Sequence, residues 1–222
     1  KGYTLTDEQK AELQAEAAIK LQIREAELHA QHQKMAQAIQ ELLAIAPNAD
    51  ASHPYLAKKN ARAGDLQVVP QNGDALPPDS IIKIASNGQE AKQLREAHPD
   101  NLVLTTGDLL LSAQDIDGYI WSMQTIQANG AKLFAAGSKK ERAFHIAGNK
   151  GLSLDAVINT MSAIVISEGY ATADTLSQAL NQPVIAAFDS GNLPKVAQDW
   201  RVKYPARPII IAGDDDQHLE ST

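Results

Sequence analysis

The spacing of apolar residues predicts one long helix at the start of the chain, over residues 6–46. Its apolar stripe is made by residues that fall at or near sevenfold spacing: Leu13, Leu21, Leu28, Met35, Ile39, Leu42 and Leu43. Thr6 and Gln9 form a capping-box pair, and Pro47 ends the helix. Two interpretations are open: a coiled coil, or an extended helix that packs one narrow stripe on the body. Arg24 and Gln31 on the seam favour the second interpretation.

The middle of the chain, residues 51–150, predicts a mixed α and β region. A linker over 47–54 precedes it, rich in Pro, Asn, Asp and Ser. We expect a strand over 81–85, a helix over 88–98 and a strand over 102–105. Residues 119–126 alternate between apolar and polar side chains, and Asn129-Gly130 then predicts a hairpin with its return strand from Lys132.

From residue 152 onward the pattern predicts alternating helices and strands. The helices cover 154–162, 170–180 and 193–204, and the strands cover 163–167, 183–188 and 207–212. Such alternation implies right-handed crossovers and a parallel sheet. The predicted fold class is therefore α/β, or α+β for the whole chain. Three regions are expected: a helical arm and linker (1–50), a mixed α/β subdomain (51–150) and a parallel-sheet domain (151–222) that ends early.

Carboxylates follow the predicted parallel strands. Glu168 follows the first, Asp189 the second, and Asp214, Asp215 and Asp216 the third. Since the carboxyl ends of parallel strands meet at one edge, where ligands bind in open α/β sheets, we expect a cluster there. Oxygen donors in that number suit Mg²⁺ or Mn²⁺.

Composition limits which ligands, metal sites and cellular locations are expected. The net charge of −7 argues against non-specific nucleic-acid binding by the whole chain, so such a role must rest on the one basic cluster, Lys139, Lys140 and Arg142. With no cysteine the chain cannot carry a disulfide, a zinc ribbon or a thiol nucleophile, so no zinc is expected. No apolar run has the length of a membrane span, which predicts no membrane insertion, and the absence of cysteine fits a reducing cytosol. A start at Lys1 and an end six residues after Asp216 predict a fragment of a longer polypeptide.

The runs at 166–173, 186–193 and 212–216 together resemble the Toprim domain. That fold is shared by DnaG-type bacterial primases, topoisomerases and some nucleases. The narrower match is to the Toprim primases of conjugative plasmids and phages, and it extends over about residues 50–218. In two respects the chain departs from the family. Only residues 217–222 follow the acidic triplet, where the family has a helix and further strands, and no zinc-ribbon cysteines precede the catalytic region.

The resemblance implies roles for individual residues. Asp214 and Asp216 would hold the metal, and Glu168 would complete the site as a ligand or proton acceptor. Gly169 would allow a sharp turn there. The resemblance also implies a basic strip that contacts the triphosphate or the template, formed by Lys139, Lys140 and Arg142, with Lys132 and His145 as further candidates. The residues implied to line the pocket are Asp189, Asn192 and Asp215.

The function that the resemblance implies is metal-dependent synthesis of short RNA primers on single-stranded DNA from ribonucleoside triphosphates. The context would be plasmid conjugation or mobile-element replication, within a larger protein of the relaxase type, and the long helix would contact conjugation or replication proteins. Two alternatives stay open. One is a catalytically inactive Toprim-like scaffold or translocation module, and the other is strand cleavage of the nuclease or topoisomerase type.

Overall fold

The computed structural model describes residues 5–149 and 151–213. Its first element is a long helix, α1 (Asp7–Ile45), whose capping box between Thr6 and Gln9 is formed as predicted. Only the C-terminal part of α1 is buried, through Met35, Ala36, Ala38, Ile39 and Leu42. Apolar side chains nearer the start are exposed, among them Ile19 at 57%. Of the two interpretations, the structure agrees with the extended helix that packs on the body.

The first sheet is antiparallel and packs against α1. It contains β1 (Gln67–Val68), β4 (Leu109–Gln114), β5 (Ile120–Ile126) and β6 (Lys132–Phe134), in the order β1-β4-β5-β6. The hairpin between β5 and β6 turns at Asn129-Gly130 as predicted, and Gly130 has a φ of +94°, which favours glycine. Strand β4 was not predicted.

The second sheet carries the three parallel strands that the sequence predicts. Its order is β10-β8-β9-β7, formed by β10 (Ile209–Ala212), β8 (Ile164–Ser167), β9 (Val184–Ala186) and β7 (His145–Ala147). Strands β10 and β9 both pair with β8 in parallel. Strand β7, which was not predicted, pairs with β9 in the antiparallel direction, so the sheet is mixed rather than purely parallel. The crossovers are α5 (Tyr170–Leu180) and α6 (Leu193–Lys203), with α4 (Leu154–Thr160) before β8.

A smaller unit completes the architecture. Strands β2 (Ile82–Ala85) and β3 (Leu102–Thr105) pair in parallel and are joined by α3 (Gly88–Ala97), close to the predicted bounds. A short helix, α2 (Pro54–Lys59), follows the linker. None of the described helices combines the length and the hydropathy needed to cross a membrane.

Buried apolar side chains form layers on both faces of the two main sheets. One cluster, with Leu110 and Met123, lies between α1 and the first sheet. A second joins the first sheet to the second through residues such as Leu111, Val165 and Tyr170. A third, with Phe144 and Trp200, covers the outer face of the second sheet. The predicted α/β class, with a long helix, a mixed region and a parallel-strand sheet, is confirmed. The domain boundaries stay a prediction, and the second cluster draws residues from both of the two larger predicted regions.

Candidate active site

The candidate site lies at the edge where the three parallel strands end. Ser167, the last residue of β8, pairs with Ala212 of β10 on one side and with Ala186 of β9 on the other. Glu168 follows β8 directly, Asp189 comes three residues after β9, and Gly213 follows β10. Described residues from all three strands therefore end side by side, as the sequence predicts. Asp214, Asp215 and Asp216 lie outside the described residues.

Glu168 lies on a tight connection between β8 and α5. Its side chain is half-buried, and Gly169 begins the helix with a φ of −112° and a ψ of 161°. The chain bends at Glu168 and Gly169, but the backbone conformation of Gly169 does not require glycine, because any residue adopts this extended backbone. What lies beside Gly169 is Lys132: a Cβ added to the glycine would stand 3.5 Å from the Lys132 Nζ atom. This distance is an ordinary van der Waals contact, so it places the Lys132 ammonium group directly beside the turn.

Lys140 and Asp189 form an ion pair at the end of β9. The Lys140 Nζ atom also lies 4.8 Å from the centroid of the Phe134 ring, which packs edge-on against Phe188 at 5.0 Å. Partial burial would raise the pKa of the Asp189 carboxyl, but hydrogen bonds from Lys140 and from the Asn192 amide lower it below its usual value. The ion pair thus holds the Lys140 ammonium group at the strand-end edge, with its charge balanced by the Asp189 carboxylate.

Phe188 adopts a φ of +76° directly before Asp189. For an aromatic residue this left-handed backbone is uncommon and costs of order 1–3 kcal/mol. Apart from the turn residues that follow Phe188, nothing in the sequence predicts this positive φ. The next residue, Asp189, pairs with Lys140 and accepts a hydrogen bond from the Asn192 backbone N–H at 2.8 Å.

Arg142 and Asn192 hold the loop before β7 against α6. The Arg142 guanidinium pairs with Asp199 of α6. The Asn192 side chain is 5% exposed and accepts a hydrogen bond from the Arg142 backbone N–H at 2.8 Å. It also donates to the carbonyls of Ala143 and Ala187, at 2.8 and 2.9 Å. All three side-chain hydrogen bonds of Asn192 are internal, so this residue holds the loop. Asn192 also lines an open pocket of about 380 Å³ whose other lining residues include Lys140 and Asp189.

The predicted basic strip is divided by the fold. Lys132 lies beside the Glu168 turn and Lys140 beside Asp189, whereas the Lys139 Nζ atom lies 4.7 Å from the ring centroid of Trp121, on the first sheet. The described structure therefore directs two lysines toward the acidic edge. Lys132, which the sequence offers only as a further candidate, lies nearer the centre of this edge than Lys139 does.

His145 does not lie on an accessible surface. Its side chain is 3% exposed, and its Nδ1 atom lies 3.0 Å from the Ser112 carbonyl. Its Nε2 atom lies 3.4 Å from Asp65 Oδ1, an ion-pair contact without the alignment of a hydrogen bond. Burial would lower the pKa of His145, but the Asp65 carboxylate and the Ser112 carbonyl raise it above its ordinary value. The expected contact between His145 and nucleic acid is not supported, because the ring is enclosed.

The described residues alone supply few ligands for a metal ion. Among residues 5–149 and 151–213, no group of three or more His, Asp or Glu side chains is arranged to hold one. Glu168 is an oxygen donor suited to Mg²⁺ or Mn²⁺, and β10 leads directly toward the sequence Asp214-Asp215-Asp216. Oxygen donors of this kind suit a hard divalent cation better than zinc.

Over its whole length the chain is similar in sequence to curated proteins named as primases. It is 37% identical over 223 aligned residues to a protein named DNA primase TraC from Escherichia coli, and 38% identical over 222 residues to a second protein of that name. The resemblance to primases is confirmed. The alignments cover 100% of this chain but only 17% and 13% of the two relatives, so the chain spans about a sixth or less of their length. No family model matches the chain.

Among solved structures, the fold is similar to one described as the structure of the DnaG primase catalytic domain bound to ssDNA. The TM-score is 0.52, with 16% sequence identity, over 86% of this chain and 66% of that one. At this identity the likeness concerns the fold, and it agrees with the α/β class described above.

Proposed function

We propose that this chain is the catalytic module of a DNA primase, which synthesises short RNA primers on single-stranded DNA. The observation that carries the proposal is the strand-end edge, where Glu168 follows β8 between the ends of β9 and β10. Full-length similarity of the chain to part of two proteins named DNA primase supports it.

The proposed reaction joins the 3′ hydroxyl of one ribonucleotide to the α-phosphate of the next and releases pyrophosphate. Glu168 would act as a metal ligand or as the acceptor of the hydroxyl proton, with Asp214 and Asp216 as the other ligands. A bound Mg²⁺ or Mn²⁺ would neutralise charge on the triphosphate. Lys132 and Lys140 would contact the triphosphate or the template backbone, because they are the lysines beside the edge.

The proposed setting is plasmid conjugation or mobile-element replication, within a larger transfer protein in the bacterial cytoplasm. The exposed part of α1 would then be an arm for conjugation or replication proteins. Its exposure supports this role, because Leu13, Ile19 and Leu21 are each more than half exposed, at 52%, 57% and 56%.

The test is primer synthesis by the purified chain and an Asp216→Ala variant. Each is incubated with single-stranded DNA, labelled ribonucleotides and Mg²⁺ or Mn²⁺. We expect short labelled products from the wild type and their loss in the variant. Cut DNA without labelled products would favour the nuclease alternative, and no reaction from either protein would favour the inactive scaffold.

A further inference from the structure

An aromatic pair outside the candidate active site lies on the hairpin between β4 and β5. The rings of Tyr119 and Trp121 are 4.6 Å apart between centroids, and Tyr119 is 43% exposed. The register of the hairpin shifts so that Ala113 pairs with Ser122 and Gln114 with Ile120, which leaves Trp121 as the extra residue of a β-bulge. Bulges of this kind redirect a side chain out of the regular alternation.

The indole of Trp121 is held in place and carries a cation. Its Nε1 atom donates to Asp115 Oδ2 at 2.7 Å, which fixes the orientation of the ring. The Lys139 Nζ atom lies 4.7 Å from the ring centroid, and the His29 ring of α1 lies edge-on at 6.0 Å. A rigid aromatic surface with an ammonium group beside it is suited to a stacked base and its phosphate.

A groove continues from Tyr119 along the docked part of α1. It has a volume of about 580 Å³ and is lined by Tyr119 and, on α1, by Gln33, Gln37, Gln40, Glu41 and Ala44. Amide side chains can both donate to and accept from base edges. Gln40 already donates to the Ile120 carbonyl at 3.1 Å and Gln37 to Glu41 at 3.0 Å, so Gln33 is the amide for which no internal bond is described.

We propose that this groove, with Tyr119, Trp121 and Lys139 at one end and the glutamines of α1 along its wall, binds single-stranded DNA. This inference rests on the proposed function, since a primase must hold a template strand beyond its active edge. Bases would stack on Tyr119, and phosphates would lie toward Lys139, away from Glu41. A nucleic acid is favoured over a protein partner, because three of the six lining residues carry amides that can pair with base edges and an exposed aromatic ring stands beside them.

Binding is measured by fluorescence anisotropy with a labelled oligothymidylate and with an abasic strand of equal length. Tyr119→Leu keeps apolar bulk but removes the stacking ring, and Tyr119→Phe restores it. We expect Tyr119→Leu to weaken oligothymidylate binding by about 5- to 150-fold, which corresponds to one stacked base. We expect Tyr119→Phe to bind like the wild type and the abasic strand to show no difference among the three proteins.

Tryptophan fluorescence gives a second readout. The chain has two tryptophans, and Trp200 is fully buried at 0% exposure, so quenching by DNA reports Trp121. Oligothymidylate should quench this signal. Equal binding by wild type and Tyr119→Leu, no quenching, or binding of oligouridylate without oligothymidylate would each overturn the proposal.

The Glu168→Gln variant distinguishes the proposal of a DNA-binding groove from the proposed primase function. It should abolish primer synthesis and leave the Tyr119-dependent binding unchanged. Primer synthesis by the wild type, together with unimpaired DNA binding by Tyr119→Leu, would overturn the groove alone. Tyr119-dependent binding by a wild type that makes no primers would support the groove and overturn the primase.

Discussion

At the scale of single residues, the fold places the basic side chains in different surroundings. Lys132 and Lys140 lie by the acidic edge, Arg142 pairs with Asp199, and Lys139 stacks on Trp121. A run of cations close together in sequence therefore does not form one surface. The consequence is that substitutions in the run should change different properties of the protein.

Replacing Lys132 and Lys140 together by alanine should weaken nucleotide or DNA binding and reduce its salt dependence. Each lost phosphate contact lowers the slope of log K against log salt by about 0.7 for a single strand. Titrations at several salt concentrations measure this slope. Lys92→Ala, an exposed lysine on α3, is the matched control and should leave the slope unchanged. An unaltered slope in the double variant would assign both lysines a structural role.

The contact between the buried His145 and the more exposed Asp65 should make stability depend on pH. Because the folded-state pKa of His145 is raised above the ordinary 6.5, its stabilisation is complete below that value. It is lost as the pH rises through the raised folded-state pKa. Urea unfolding of the wild type and Asp65→Asn should therefore differ more at about pH 5.5 than at about pH 8.5.

Asp100→Asn, at an exposed acid after α3, is the control for the pH experiment and should unfold like the wild type at both pH values. A difference between wild type and Asp65→Asn that is constant with pH would show that the two side chains interact without a charge on the imidazole.

At the scale of elements, α1 has two parts with different roles. Ile39 is fully buried at 0% exposure, whereas Ile19 in the same helix is 57% exposed. Ile39→Ala should lower the free energy of unfolding by about 2–5 kcal/mol. Ile19→Ala, the same substitution on the exposed part, should leave it nearly unchanged. Equal losses in the two variants, measured by urea unfolding, would mean that the exposed part is also packed in solution.

The helices and parallel strands could be predicted because their signals are local. Thr6, Gln9 and Pro47 set the ends of α1, and short continuous apolar runs indicate β8 and β9. Strand β7 has only three residues, and its pairing with β9 depends on contacts distant in the sequence. The burial of His145 and the bulge at Trp121 likewise arise from tertiary packing, which the residues themselves do not signal.

Sequence indicated that Glu168 lies at the strand-end edge, but not which basic residues lie beside it. The position of Glu168 follows from strand order alone, since it ends a central parallel strand. The position of Lys132 depends on how the β5–β6 hairpin of one sheet packs on the other sheet. No spacing rule relates Lys132 to Gly169, although the two are adjacent in space.

At the scale of the whole molecule, two sheets share a buried cluster and bring candidate site residues to a common edge. The first sheet contributes Lys132, the second contributes Glu168, and the loop between β6 and β7 contributes Lys140. An isolated bridge between Gln114 and Phe144 joins the sheets directly. The proposal for catalysis therefore depends mainly on the residues at this strand-end edge.

The most direct measurement of that claim is the rate of primer synthesis by Glu168→Gln, beside Glu96→Gln as a control. Both substitutions remove one carboxylate charge, but Glu96 is exposed on α3, in another part of the fold. We predict that Glu168→Gln lowers the rate by roughly 100-fold or more, as loss of a catalytic acid or base does, while its unfolding curve stays like that of the wild type. Glu96→Gln should retain the wild-type rate. Equal rates for the two variants would contradict the account.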